Sequence, residues 1–207
     1  MKEILLATSN PHKLEEVSAI LATLGWRVKG LDSLEAVPDE PVEDADTFEG
    51  NARIKAIAYA QATGMRCLAD DSGLVVDALE GAPGVHSARY AGLGNDRETR
   101  DAANNAKLLE AMKTIPDGHR QARFVCCMCL ADPDGTVVLE SRGTFEGTIG
   151  REPCGDNGFG YDPLLILPEG LTSAELSPVD KNCRSHRAEA TRNLVAALND
   201  QFIQREP

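Results

Sequence analysis

The chain has 207 residues and a formal net charge of −12, with 42% hydrophobic and 26% charged residues. That acidic balance excludes broad contact with duplex nucleic acid, which needs a basic footprint. One Trp, three Tyr and five Phe are too few for single-strand stacking platforms. No apolar run approaches the roughly 18 residues that span a bilayer. A small phosphorylated substrate remains open, because a few lysines and a metal ion can act locally in a cleft.

This length suits one large domain over 1–207, or two lobes sharing a core. The opening MKEILLATSN is too short and too quickly polar for a signal peptide. Cys126, Cys127 and Cys129 lie in RFVCCMCLA, where alternate side chains of one strand point to opposite faces. No second CxxC or His pair completes a ligand set, so the six cysteines read as buried reduced thiols in a cytoplasmic protein.

Lys2 to Thr8 reads as a buried strand, and Ser9-Asn10-Pro11-His12-Lys13 breaks it. Leu14, Val17, Ile20, Leu21 and Leu24 then fall on one helical face that Gly25 ends. Ser9 or Asn10 can cap this helix and Pro11 suits its first position. Free backbone N–H groups, a dipole end and Lys13 in the first turn make an anion site, since a cation there is unfavourable without an anion beside it. Trp26 to Leu31 suggests a short strand, and the acidic, proline-bearing Asp32 to Asp46 a loop. Thr47 to Ala62 is an alanine-rich helix stopped by Gly64. Its Asn51 and Lys55 share a face that turns either to solvent or to a cleft.

Met65 to Ala69 is the strand that feeds Asp70 and Asp71. Two neighbouring carboxylates at a strand end repel each other, and are tolerated if solvated or if a cation sits between them. The plain alternative is a polar turn with Ser72-Gly73 as breaker. Apolar sequence on both sides favours a divalent-metal and general-base site. A helix follows over about Thr99 to Ile115. Strands are expected over Gln121 to Ala131 and Thr136 to Ser141, joined by an Asp132-Pro133-Asp134-Gly135 turn, with a separate strand over Thr144 to Ile149. In EPCGDNGFGYDP, aromatics alternate with glycine, so a ring can lie flat over a planar ligand. Leu164 to Leu167 is a strand. A tail leads to a last helix carrying Ala188, Thr191, Leu194, Val195, Leu198 and Phe202. His186 and Arg187 stand at its start, where such a pair by itself is more often surface than site. The fold class is α/β: a long mixed sheet flanked by helices, in two lobes with the active-site cleft between them.

Five stretches, ATSNPHK, TFEGNARIKA, ADDSGLVVDALEGAPGVHSARYAG, GFGYDP and SPVDKNCRSHRAEA, together resemble the inosine triphosphate pyrophosphatase family. The resemblance implies hydrolysis of non-standard purine nucleoside triphosphates (ITP, dITP, XTP) to monophosphate and pyrophosphate. It implies that Thr8, Ser9, Asn10, Pro11, His12 and Lys13 form the first substrate-binding turn, with Lys13 on the phosphates. Asp71 is implied as proton acceptor and magnesium ligand, and Ser72 as a substrate contact. Asp70 and Glu43 would complete the carboxylates around Mg²⁺. Phe159, Gly160, Tyr161 and Asp162 would hold the base, and Lys181, His186 and Arg187 make the remaining contacts. The chain departs from the family at Gly50, where many members have glutamate, and in PVEDADTF, where two consecutive glutamates are usual.

The mechanism this implies is attack by water on the α-phosphorus, with Lys13 and Lys55 offsetting phosphate charge. An aspartate of ordinary pKa is a weak base, so most activation is expected from the metal. Donors near His186 and Arg187 would select a 6-oxo purine. Family members are commonly homodimers. Two alternatives stand beside this reading, a Maf-like pyrophosphatase acting on other modified nucleotides and a nucleotide-sensing module without turnover. A serine hydrolase is disfavoured because no GxSxG surrounds Ser72 or Ser9.

Overall fold

Alternation along the strands decides which helix each side chain meets. The computed structural model describes residues 2–23 and 25–203; Leu24 of the expected helical face lies outside them, as does the side chain of Phe202. Among the described residues, six strands form one sheet in the order β2-β1-β3-β4-β5-β6. They are β1 (Lys2–Leu6), β2 (Trp26–Gly30), β3 (Cys67–Val76), β4 (Gln121–Ala131), β5 (Val137–Ile149) and β6 (Leu165–Ile166). The helices are α1 (Pro11–Thr23), α2 (Phe48–Thr63), α3 (Arg97–Ala111), α4 (Pro178–Arg184) and α5 (His186–Ile203). The sheet is mixed, as expected, because β1 runs parallel to β2 and β3 whereas β6 runs antiparallel to β5. The chain divides into two compact units: Met1–Asp71 with Cys126–Gly143 and Ser185–Pro207, and Ser72–Val125 with Thr144–Arg184.

In the first unit, parallel neighbours require crossover connections, and α1 and α2 supply them. Ile4, Leu6, Leu68, Cys126, Met128 and Leu130 pack with Val17 and Leu21 of α1 and with Leu194, Val195 and Leu198 of α5. The intervening residues Leu5, Ala7, Cys67, Ala69, Cys129 and Ala131 pack with Ala52, Ala56, Tyr59 and Ala60 of α2. Small alanines on α2 let that helix come close to the sheet. Thr47 caps α2 by accepting from the Gly50 N–H at 3.1 Å, and Gly64 closes it at φ 65°.

The second unit is built on Leu74, Val76, Leu108, Met112, Phe124, Phe145, Ile149, Tyr161 and Leu165. A reciprocal cap between Asp96 and Thr99 starts α3 two residues earlier than the periodicity suggests. Past its end, buried Arg120 donates to the carbonyls of Met112 (2.6 Å), Ile115 (3.1 Å), Ile149 (2.7 Å) and Gly150 (2.8 Å). One guanidinium thereby satisfies backbone acceptors that α3 and β5 leave behind.

Three expectations change. First, β3 does not end at the aspartates. It continues through Ser72 and Gly73 to Val76, because partners for the two carboxylates outweigh the local turn preference of Asp, Ser and Gly. Second, the two strands expected over 136–149 are one, β5. At its Gly143 a Cβ would collide with the His186 carbonyl and the Ala190 amide, so glycine is there to admit the α5 backbone rather than to turn the chain. Third, Cys67, Cys126, Cys127 and Cys129 are buried free thiols, but Cys154 and Cys183 are exposed. Burial raises the thiol pKa of Cys67, Cys126 and Cys129 to about 12, which keeps them unreactive.

Gly143→Ala is expected to cost about 1–3 kcal/mol through overpacking against α5. Urea unfolding monitored by circular dichroism measures it, and an unchanged midpoint would show that α5 yields freely at this point.

Candidate active site

The first turn of α1 forms as the sequence suggests. The Asn10 carboxamide oxygen accepts from the His12 N–H (3.1 Å) and the Lys13 N–H (3.5 Å), and the Thr8 hydroxyl accepts from the Asn10 N–H (3.2 Å). Asn10 is therefore the cap and Pro11 the first helical residue. Ser9, Pro11 and His12 are exposed, Thr8 and Asn10 half-buried. Lys13 has found its anion within the protein, since its ammonium lies 2.8 Å from the Asp70 carboxylate.

Consecutive residues of a strand face opposite ways, and this separates the two aspartates. Asp70 shares its face with Leu68 and turns toward α1 and α5. There it meets Lys13, the Arg187 guanidinium (Nε at 3.7 Å) and the Cys126 thiol (3.9 Å). Arg187, only 1% exposed, also pairs with Glu16 of α1. Burial opposes ionisation of Asp70, yet Lys13, Arg187 and Lys55 together outweigh it and hold the carboxyl well below the usual carboxylate range. Arg187 shows the same balance, with Glu16 and Asp70 overriding its burial and keeping it charged.

Asp71 faces α2. Its carboxylate accepts from the Asn51 carboxamide at 3.1 Å, and the Asn51 oxygen in turn accepts from the Ala45 N–H at 3.0 Å. Asn51 thus ties the acidic loop, α2 and β3 together. The Lys55 ammonium lies 3.0 Å from Glu43 and donates to the Asp70 carbonyl at 3.1 Å, so the α2 face turns inward rather than to solvent. Burial raises the Asp71 pKa, and Glu43 adds to this, against the opposing pull of Lys13, Lys55 and Asn51. The expectation of an ordinary aspartate is thereby corrected: desolvation makes this carboxylate a stronger base.

Asp71 and Glu43, the latter held by Lys55 at 3.0 Å, carry hard oxygen donors of the kind Mg²⁺ takes. That ion takes one or two protein carboxylates and completes its shell with water and phosphate oxygens. Among the described residues, no group of three or more His, Cys, Asp or Glu side chains is placed to hold a metal by itself.

In the second unit the Phe159–Asp162 turn is locked from inside. The Asp162 carboxylate accepts from Lys181 (2.6 Å), the Phe159 N–H (2.7 Å) and the Ser173 hydroxyl (2.8 Å). Gly158, at φ 78°, has to be glycine because a Cβ would strike the Asp162 carboxylate. The Tyr161 hydroxyl donates to the Ser87 carbonyl (2.9 Å), and Lys181 lies 5.0 Å from the Phe159 ring centroid. Phe159 and Gly160 stay half-buried, whereas Tyr161, Asp162 and Lys181 are buried.

The structure therefore brings Lys13, Glu43, Lys55, Asp70, Asp71 and Arg187 together in one unit, with Ser72 following Asp71 in β3. It gathers Phe159, Gly160, Tyr161, Asp162 and Lys181 in the other. His186 and Arg187 are buried at the start of α5, whose first turn Ser185 caps toward the Ala188 N–H (3.2 Å), so the surface alternative for this pair fails. Sequence reasoning missed Glu16 and gave Asn51 no role. Glu16 carried a signal, since it stands three residues after Lys13 and so on the same helical face.

The Ham1 family model matches residues 4–197. A dITP/XTP pyrophosphatase of Exiguobacterium sp. is 50% identical over 95% of this chain and 96% of its own length. One from Nitratidesulfovibrio vulgaris is 51% identical over 93% of each. Among solved structures, a HAM1 protein from Coxiella burnetii is 42% identical with a TM-score of 0.84, covering 97% of this chain and all of its own. The Ham1 protein of Staphylococcus aureus is 38% identical with a TM-score of 0.82, over the same shares of the two chains.

Replacing Asp70 by Asn leaves Lys13 and Arg187 facing a neutral group and is expected to cost about 3–5 kcal/mol. A carboxylate whose folded pKa lies below its ordinary 3.8 stabilises the fold above that pH and loses its contribution as pH falls toward the folded value. Asp71, shifted the other way, contributes with the opposite sign. Thermal melts from pH 7 down to pH 2 should show wild-type stability falling below about pH 4, with a flatter profile in Asp70→Asn. Parallel profiles would remove Asp70 from this role.

Proposed function

The chain belongs to the Ham1 family, and from that membership we propose that it hydrolyses non-standard purine nucleoside triphosphates (dITP, XTP and ITP) to the monophosphate and pyrophosphate. The observation that carries the reading is Asp71: a buried carboxylate with a raised pKa, oriented by Asn51, with Lys13 and Lys55 beside it. The Maf-like alternative finds no support among the relatives, which are dITP/XTP pyrophosphatases.

Asp71 accepts the proton of the attacking water, and Asn51 holds the carboxylate in place for it. Lys13 and Lys55, fixed by Asp70 and Glu43, supply positive charge for the phosphate oxygens as attack on the α-phosphorus proceeds. Asp71 and Glu43 would hold Mg²⁺, which when bound stabilises negative charge on the phosphates. Asp70, the third carboxylate of the expected set, is engaged by Lys13 and Arg187 and contributes by keeping Lys13 in position. The Phe159–Asp162 turn takes the purine ring. A donor from His186 favours a 6-oxo acceptor over adenine's amino group, because a polar site left unpaired by the wrong base rejects it strongly, whereas Arg187 is engaged by Glu16 and Asp70. We place the enzyme in the cytoplasm, in keeping with its free cysteines, and as a homodimer, in keeping with the family resemblance. Among the described residues no helix is long and apolar enough to cross a membrane.

Pyrophosphate release from a panel of triphosphates, with Mg²⁺ and with chelator, tests this directly. Turnover of dITP, XTP and ITP should far exceed that of ATP and GTP and should stop with chelator, while equal rates on all five would sink the selectivity. Asp71→Asn should lower kcat by roughly 10²–10⁴-fold with a much smaller change in nucleotide affinity. Light scattering reads the dimer.

A further inference from the structure

One face of α3 is spent on a single short loop. Arg97, Asp101 and Asn105 recur every four residues and so stand in a row along the helix. The Asp101 carboxylate accepts from the Gly160 N–H at 2.9 Å, and the Asn105 carboxamide donates to the Gly160 carbonyl at 3.0 Å. Both backbone polar groups of one residue are thus held by one helix. One turn earlier, the Arg97 guanidinium lies over the Phe159 ring, 4.5 Å from its centroid, with Nε 3.8 Å from Asp101. Gly160 itself is in the left-handed region at φ 64°, and a Cβ there would meet nothing within 4 Å. Asp162 and Tyr161 anchor the turn from inside, and the two hydrogen bonds from α3 fix the Gly160 peptide itself, where no packing would resist a Cβ. The bond to Asp101 is charge-assisted and the stronger of the two.

We infer that the Arg97–Asp101–Asn105 face of α3 is a positioning element for purine recognition, setting the Phe159–Tyr161 segment in the orientation that distinguishes one base from another. This rests on the reading of that segment as the base-holding turn. None of the three residues need touch the substrate. Their effect passes through the Gly160 peptide and the Phe159 ring, whose plane Arg97 helps to fix together with Lys181. A base-side device of this kind should change apparent affinity and selectivity while leaving chemistry at the α-phosphorus alone.

The test uses the full-length protein with Asp101→Ala, Asn105→Ala, Arg97→Ala and the conservative Asp101→Asn, whose carboxamide oxygen can still accept from Gly160. Steady-state kinetics with dITP, XTP and dATP are combined with inhibition by imidodiphosphate, a probe that lacks a base. Asp101→Ala and Asn105→Ala should raise KM for dITP by about tenfold, change kcat by no more than about twofold, and reduce the preference over dATP by a similar tenfold factor. Their imidodiphosphate Ki should match wild type, and Asp101→Asn should recover most of the KM. Wild-type KM and preference in both alanine variants would overturn the inference. So would a parallel rise in KM and imidodiphosphate Ki, which marks general loosening. Should Asp101→Ala fail to fold, Asn105→Ala and Asp101→Asn decide by the same readouts. Failure of the wild-type protein to cleave dITP or XTP would instead refute the proposed function, and only that arm reports it.

Discussion

Asp70 is a charged group almost wholly withdrawn from water, and the first unit is arranged around the cost of that. A lone buried carboxylate would neutralise itself; here Lys13 from α1 and Arg187 from α5 converge on it, and Glu16 accepts the remaining charge of the arginine. The cluster binds α1, β3 and α5 to one another by interactions that cannot be removed singly without leaving a buried charge exposed to nothing. Surface pairs such as Arg53–Glu140 and Arg151–Asp117 have well-solvated partners and contribute little. They do not decide the fold.

The same cluster gives different surroundings to two identical side chains that the sequence presents side by side. Asp70 is held ionised by cations and spent on holding Lys13, while Asp71 on the opposite face is held by a neutral donor and is the more basic of the two. Different environments on the two sides of one strand drive their pKa values apart, and the roles proposed for them rest on that divergence together with their separate partners. The α2 helix completes the division, because Asn51 orients Asp71 while Lys55 bridges the acidic loop and the β3 backbone.

Much of the site was legible in the chain. The capped helix start at Asn10-Pro11 and the need of Lys13 for an anion each carry a local physical signature, and the structure meets both, the second with Asp70. The course of β3 was not legible, because Asp-Asp-Ser-Gly is locally turn-like and its strand conformation depends on partners in other elements. Nor was the continuity of β5 through Gly143, since a glycine that admits a neighbouring helix looks the same in sequence as one that turns the chain. The burial of His186 and Arg187 was hidden for a related reason: an arginine enters a core only when carboxylates elsewhere are waiting for it.

By itself the sequence determined the alternation of strands and helices, the helix caps, the reduced cysteines of the sheet and the family to which the chain belongs. These follow from short-range periodicity and from residue types at close spacing. Tertiary structure alone decided which aspartate is paid for by cations and which is left basic, and which face of α3 grips Gly160. Those outcomes depend on charges and hydrogen-bond partners that lie far apart along the chain and become neighbours only when the helices pack on the sheet.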